Sequence, residues 1–435
     1  MAKRIFAAVS MILMIGALAF AGGGGDKAGA GGAKPVTLRF SWWGADVRHQ
    51  ATLQAIDRYM ELHPNVTIEG EYQGFDGYPQ KIMTQIAGRT EPDLMQLDYV
   101  WFPELAARGD TFVDMTTQSA VDLSPYSQKI LEEYCSINGK IISLPMGTNG
   151  WGLMVNREFY KKYNLAPDTD WTWEKVIDEG ARIHKANPND YLFSIPSNII
   201  FEFFLSPYIY TKTGHWWVDE GANKISATRA ELLEGFTVLK KLYDGGAAQP
   251  IGEANLFMNQ MNPKWAGGQL GFMINWSGVI QQHKEMLPEG AFTVAKPPYA
   301  ANGKNKSIPF KVAMVLAVSN RSPNVAVAAD FANWLLNDPE AITILGTQRS
   351  VPTNQNAFNQ LNKAGSINAD MAAMVAFTNA DPLPPFPMIQ SNSEVTDIVK
   401  DICEQVVFGK LTPEAATDKF LADVQEKMDA LKKSR

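Results

Sequence analysis

The sequence predicts an α/β fold. Three observations carry this. Short runs alternate apolar and polar residues, as half-buried strands do. Between them lie stretches with apolar side chains at helical spacing. The composition, 46% hydrophobic and 20% charged, is that of a folded chain. Strand, helix, strand, helix and strand in succession predict parallel βαβ units. A length of 435 residues suits about two or three domains.

The first segment reads as an address. Lys3 and Arg4 precede an apolar, uncharged stretch over residues 5–21, and Ala19-Phe20-Ala21 supplies a small-x-small cleavage site before Gly22. The stretch is short for a membrane span. No Cys stands at the cut, so no lipid anchor is expected. Cleavage removes two cations and no acid, which takes the net charge from −7 to −9. The mature protein is therefore expected to be exported, periplasmic or extracytoplasmic, and soluble. Residues 22–34 are Gly/Ala-rich and read as a flexible linker.

Residues 36–41 (VTLRFS) then alternate as a strand. Leu53, Ile56 and Met60 mark a helix over residues 47–62, closed by Pro64. Residues 66–72 (VTIEGEY) form the next strand. Ile82, Met83 and Ile86 share one helical face over residues 78–87, and 93–98 (DLMQLD) is a third strand. Asn138-Gly139 signals a hairpin-like turn within residues 137–144. Thr172 is a good N-cap for a helix ending near Ala186. Residues 228–243 read as an amphipathic helix stopped by Gly245-Gly246. Residues 269–275 and 312–318 read as buried strands and 324–336 as a helix. The chain ends in a long amphipathic helix over residues 412–433, with Thr412 at the N-cap and Pro413 at the first helical position.

Several functions are disfavoured. An excess of acid, 46 Asp+Glu against 39 Lys+Arg, argues against a generic nucleic-acid binder. Two cysteines and five histidines leave little for metal or iron–sulfur sites, and no cofactor or metal is expected. Cys135 and Cys403 are far apart in sequence; export permits a disulfide, and two buried thiols fit as well. There is no G-x-S-x-G elbow, H-E-x-x-H or phosphate loop. The pair Glu132-Glu133 reads as solvated helix charge rather than as a glycosidase pair.

The tryptophans say more. Of 11, several sit beside small polar residues where a strand ends: Trp42-Trp43 before Asp46, Trp101 after Asp98-Tyr99, Trp151 after Asn149, and Trp276 before Ser277. Ligands of open α/β sheets bind beyond the strand ends. Indole faces stack on the C–H faces of sugar rings, and carboxylates and amides take their hydroxyls, so these groups suggest a carbohydrate site.

The stretches VTLRFSWWGAD, LHPNVTIEGEY, KIMTQIAGRTEPDLMQLD, LPMGTNGWGLMVNREFYKKYNL, KWAGGQLGFMINWSG and TPEAATDKFLADVQEKM, in this order after an export signal, resemble the extracellular solute-binding proteins, family 1, that feed sugar ABC importers. SWWGADVRH further resembles the oligogalacturonide-binding branch. The resemblance spans residues 36–433. It implies a two-lobe periplasmic-binding-protein fold, each lobe a mainly parallel sheet flanked by helices. It implies hinge crossings near residues 144–148, 293–298 and 349–353. Lobe one would comprise 35–145 plus 298–349, and lobe two 146–297 plus 350–435. It also implies a monomer without catalytic activity that captures a sugar or oligosaccharide between the lobes and docks on a membrane permease.

Carried over residue by residue, the resemblance puts Trp42, Trp43, Asp46, Asp98, Tyr99, Trp101, Asn149, Trp151, Trp276, Ser277, Gln73, Gln390 and Ser391 at the ligand. Asp46 reads equally as a helix N-cap. Arg48 and His49 would stand in the first turn of a helix, where the dipole disfavours cations. A bound carboxylate would offset that, which makes Arg48, with His49 and Lys311 behind it, the basis for a uronide ligand. The alternatives are a secreted carbohydrate-active enzyme, such as a polysaccharide lyase or glycosidase, and the same fold binding a non-sugar solute such as glycerol phosphate.

Overall fold

The alternation that begins VTLRFS runs two residues further than expected, because Trp42 and Trp43 complete the first strand, β1 (Val36–Trp43). The computed structural model describes residues 34–107, 109–257, 262–380 and 383–433; the expected signal peptide and the expected linker, apart from Lys34, lie outside the described residues. After β1 come α1 (Asp46–Leu62), β2 (Val66–Gln73), α2 (Tyr78–Gly88), β3 (Leu94–Leu97), β4 (Ser143–Asn156), α3 (Trp173–Ala186) and β5 (Tyr191–Ser194). Then follow α4 (Arg229–Asp244), β6 (Leu270–Trp276), β7 (Phe292–Ala295), β8 (Phe310–Val318), α5 (Val325–Asn337), α6 (Ala369–Ala380) and α7 (Ser393–Val407).

The expected punctuation is in place. Thr172 Oγ1 accepts from the Lys175 amide, and Thr228 with Glu231 forms a reciprocal capping box. Asn138 and Gly139 take the left-handed backbone that a tight hairpin turn requires. Thr412 caps the last helix, which passes through a π turn, Phe420–Val424, to reach Lys433.

The strands pair in the order β2-β1-β3-β8-β4-β6-β5, with β7 also on β4. The α/β class is as expected, but the ladders are mixed rather than mainly parallel. β1 is parallel to β2 and β3, and β6 to β5; β8 runs antiparallel to β3 and β4, and β4 antiparallel to β6 and β7.

Two large apolar cores flank this sheet. The first gathers residues from 38–146 and 310–345, and the second from 151–308 and 395–428. β4 belongs to both. Its first half, to Gly150, pairs with β8, and its second half, from Trp151, pairs with β6 and β7. The segment around Arg349 crosses beside it: Thr148 N donates to Val351 O at 2.7 Å, and Ser350 Oγ to Thr148 O at 2.7 Å.

One crossing differs from expectation. Residues 293–295 lie wholly within β7 on the second core, and Ala300 and Ile308 pack there too. The chain passes over at Phe310 and Lys311, which pair with Gly150 and Asn149. The free cysteines are both buried, Cys135 in the first core and Cys403 in the second, so they form two separate thiols.

The crossing strand leaves no room for side chains at its glycines. A Cβ on Gly147 would stand 1.8 Å from the Arg349 carbonyl oxygen, and one on Gly150 would stand 2.4 Å from the carbonyl of Met374 in α6. Both obstacles are backbone. Gly150→Ala is therefore expected to destabilise the protein by about 1–3 kcal/mol, read as a lower urea midpoint at an unchanged slope.

Candidate functional site

The loop after β2 and the end of β3 bring aromatic rings to one edge of the first core. Trp43 packs against Phe75 at 5.6 Å, Tyr78 at 5.2 Å and Trp101 at 5.5 Å between ring centroids. Tyr78 is fixed from below, its hydroxyl donating to Ser41 O and Gln96 O. Trp43 is buried behind, while Phe75 is half exposed in front. Phe75 and Trp101 thus face outward on a rigid aromatic base.

Opposite them stand residues from the stretches 194–283 and 386–391. A chamber of about 230 Å³ is lined by Phe75, Asp98, Trp101 and Lys311 from the first side and by Phe201, Glu202, Phe386, Gln390 and Ser391 from the second. Around Phe75 lies another of about 410 Å³, lined by Gly74 and Asp76 from the first side and Asn262, Asn275, Gln282 and His283 from the second. Phe75 is common to both, and the two adjoining chambers make up the candidate cleft.

Charge in the cleft is arranged around Lys311. β8 holds it next to Asn149 on the crossing strand, and its Nζ lies 2.9 Å from Asp98 Oδ2. Asp98 Oδ1 meanwhile accepts from the Val100 amide and caps the short turn that carries Trp101. Glu202 comes from the other side, where Trp276 Nε1 donates to it at 3.2 Å. Burial raises the Glu202 carboxyl above the ordinary carboxylate range against the pull of Lys311, with Asp98 reinforcing the shift. For Lys311 burial acts downward, but Asp98 and Glu202 together outweigh it and hold the ammonium up. Burial lowers His283, which keeps that ring neutral at pH 7. Among the described lining residues the acids Asp76, Asp98 and Glu202 thus outnumber the lysine and arginine side chains, of which Lys311 is the one present and is already paired.

The sequence-predicted residues divide into three groups. Asp98, Tyr99, Trp101, Lys311, Gln390 and Ser391 line the cleft. Trp43, Gln73, Asn149 and Trp276 support it. Gln73 donates to Asp76 O in the loop that carries Phe75. Asn149 adjoins Lys311 in the ladder with its Oδ1 buried and unpartnered. The others are elsewhere. Trp42 is fully buried, stacked on Tyr72, and its indole donates to His49 Nδ1 at 3.1 Å. His49 is thus a buried acceptor, and burial lowers its pKa. Trp151 is buried against Phe203 in the second core. Ser277 is buried at the crossing, where its Oγ accepts from Gly150 N. Asp46 is exposed in the first turn of α1, and Ala45 takes the N-cap position.

Arg48 does not face the cleft either. It donates to Trp43 O at 3.0 Å and to Gln348 O at 2.8 Å, tying the start of α1 to the segment before Arg349. Burial pushes its pKa down to about 10. The carboxylate that would offset its place in the helix dipole is replaced by two backbone carbonyls.

Phe75, Asn198, Phe201, Glu202 and Phe386 line the cleft without having been singled out from sequence. Glu202 carried a usable signal, a lone acid inside the apolar run IIFEFFL. Among the described residues no cluster of His, Cys, Asp and Glu is arranged to hold a metal, and no helix is long and apolar enough to cross a membrane.

Comparison with known proteins places this geometry in context. A family model described as bacterial extracellular solute-binding protein matches residues 45–342. A solved periplasmic solute-binding protein of Pectobacterium atrosepticum is 25% identical, with a TM-score of 0.83 over 91% of this chain and 99% of that one. The solved periplasmic oligogalacturonide-binding protein of Yersinia enterocolitica, in complex with saturated digalacturonic acid, is 24% identical, with a TM-score of 0.81 over the same shares. A Brucella abortus protein described as a binding protein is 22% identical over 384 residues, 85% of this chain and 87% of that one.

The ion pair at the cleft floor can be weighed by mutation. Lys311→Met strands the Asp98 carboxylate, whose side chain is only 9% exposed, and is expected to cost about 1–3 kcal/mol of stability. Asp98→Asn added to it removes the stranded charge and keeps the cap, so the double variant should recover at least half of that loss in urea denaturation. Two losses that simply add would contradict the pairing.

Proposed function

The chain belongs to the bacterial extracellular solute-binding protein family, and on that footing we propose that it captures a neutral oligosaccharide in the cleft and delivers it to the permease of an ABC importer. Solute binding is the family's property, and the solved relatives above are binding proteins. The exported state expected from residues 1–21 agrees with an extracellular family. In this reading the cores are the centres of two lobes, about 34–149 with 310–349 and about 150–309 with 350–433, joined where β4 and its neighbours cross.

The observation that carries the ligand class is the cleft lining. Phe75 and Trp101 from one side, and Phe201 and Phe386 from the other, offer apolar faces to sugar rings. Asp98, Glu202, Asn198 and Gln390 offer acceptors and donors to hydroxyls. Contacts from both lobes favour the closed state over the open one, which is how such a ligand drives closure.

The uronide reading has support in the likeness to the Yersinia protein, whose complex holds digalacturonic acid. The charges here favour a neutral sugar instead. Arg48 is engaged by carbonyls. Lys311 is engaged by Asp98, with Glu202 close by. A ligand carboxylate entering this chamber would meet more acid than base.

A thermal-shift screen followed by calorimetry tests this. Neutral oligosaccharides should raise the transition, a ligand at ~100 Kd adding about 2.7 kcal/mol. Trp101→Ala should weaken their binding by about tenfold or more. Galacturonides bound more tightly than neutral sugars of the same length would contradict the neutral assignment, and products released from pectin or glycan fragments would contradict the non-catalytic reading.

A further inference from the structure

We infer that the ligand extends beyond the cleft, over Phe386, into an outer subsite built around Trp216, so that the protein selects oligosaccharides longer than the cleft alone would hold. The inference rests on the oligosaccharide reading above and adds chain length to it.

Phe386 is the residue common to the two places. It lines the inner chamber beside Glu202, and it also lines an outer cavity of about 580 Å³ with Trp216, His215, Asp219 and Glu220. Pro385 and Pro387 flank it and restrict the backbone on both sides. The segment thus lies between the two cavities with a restricted backbone.

The outer cavity has the chemistry of a sugar site. The Trp216 ring is half-buried, braced by Tyr210 at 4.6 Å and by Phe386 at 5.1 Å. Its indole N–H has no hydrogen-bond partner in the structure. That N–H is itself shielded from solvent, as are those of Trp151 and Trp171, so it is the ring that Trp216 offers to the cavity. Asp219 and Glu220 are exposed at the same cavity and make no ion pair among the described residues. Glu220 Oε1 accepts from the Ile389 amide, which ties this wall to the turn bearing Gln390 and Ser391 in the inner chamber. The outer cavity continues the character of the cleft: aromatic walls, carboxylate acceptors, and no lysine or arginine among its lining residues. A neutral polymer of like rings suits both halves, whereas a small solute would leave the outer half unused.

Calorimetry with neutral gluco-, xylo- and galacto-oligosaccharides, from disaccharide to hexaosaccharide, on the full mature chain decides it. Wild type should gain about tenfold in affinity as the ligand lengthens past the rings held in the cleft. Trp216→Ala should erase that gain and leave disaccharide affinity as it was. Because Trp216 braces its neighbours, Asp219→Asn provides a second variant at an exposed position and should remove part of the gain with an unchanged melting curve. A wild-type affinity that stops rising at the disaccharide, or a loss in Trp216→Ala that is equal at every length, overturns the outer subsite while oligosaccharide binding stands. Failure of every oligosaccharide to bind wild type overturns both readings.

Discussion

The antiparallel pairing of β8 with β4 is the interaction on which the rest of the structure depends. β4 is 14 residues long and runs from one core into the other. β8 holds its first half and β6 and β7 hold its second, so the point where the partners change is also the boundary between cores. Gly147 and Gly150 make that boundary possible. At each, another backbone segment occupies the space of a side chain, Arg349 in one case and Met374 in the other. Three segments are thereby pressed together over a few residues. In the two-lobe reading proposed above, motion between the cores would be concentrated there.

The same ladder sets the electrostatics of the cleft. Pairing of Lys311 with Asn149 places an ammonium at the point where the cores part. Asp98 arrives there from the end of β3 and Glu202 from the second core. The ammonium lies 2.9 Å from Asp98 and also feels the charge of Glu202. In the two-lobe reading, closing the cleft would change the environment of Glu202, whose carboxyl is already raised by burial. A ligand hydroxyl between Asp98 and Glu202 would relieve that crowding, whereas a ligand carboxylate would add to it.

The start of the first core was legible in the sequence because β2 alternates buried and exposed residues and α2 carries its apolar residues on one face. The end of β3 was legible too: Asp98, Tyr99 and Trp101 follow a short apolar strand, and they line the cleft. The limits have physical causes. Neighbouring residues on a strand point to opposite faces, so Trp42 and Trp43 look equivalent in sequence while one enters the core beside His49 and the other backs the cleft. β4 was hidden because Pro145, Gly147, Gly150 and Gly152 interrupt its pattern, and because it is buried along nearly its whole length. Arg48 was read through its helix position alone; its partners, Trp43 O and Gln348 O, include one 300 residues away that no local pattern reveals. Phe75 and Phe386 gain their meaning only when the two cores face each other.

The central claim, that one ligand is held by both cores across a closing cleft, is tested most directly by small-angle scattering of the mature protein with and without saturating neutral oligosaccharide. The account predicts a smaller radius of gyration in the bound state, and no such change when Gly150→Ala has disturbed the crossing strand but the ligand still binds. An unchanged radius for wild type at full saturation would mean that one core alone holds the ligand, and would contradict the account.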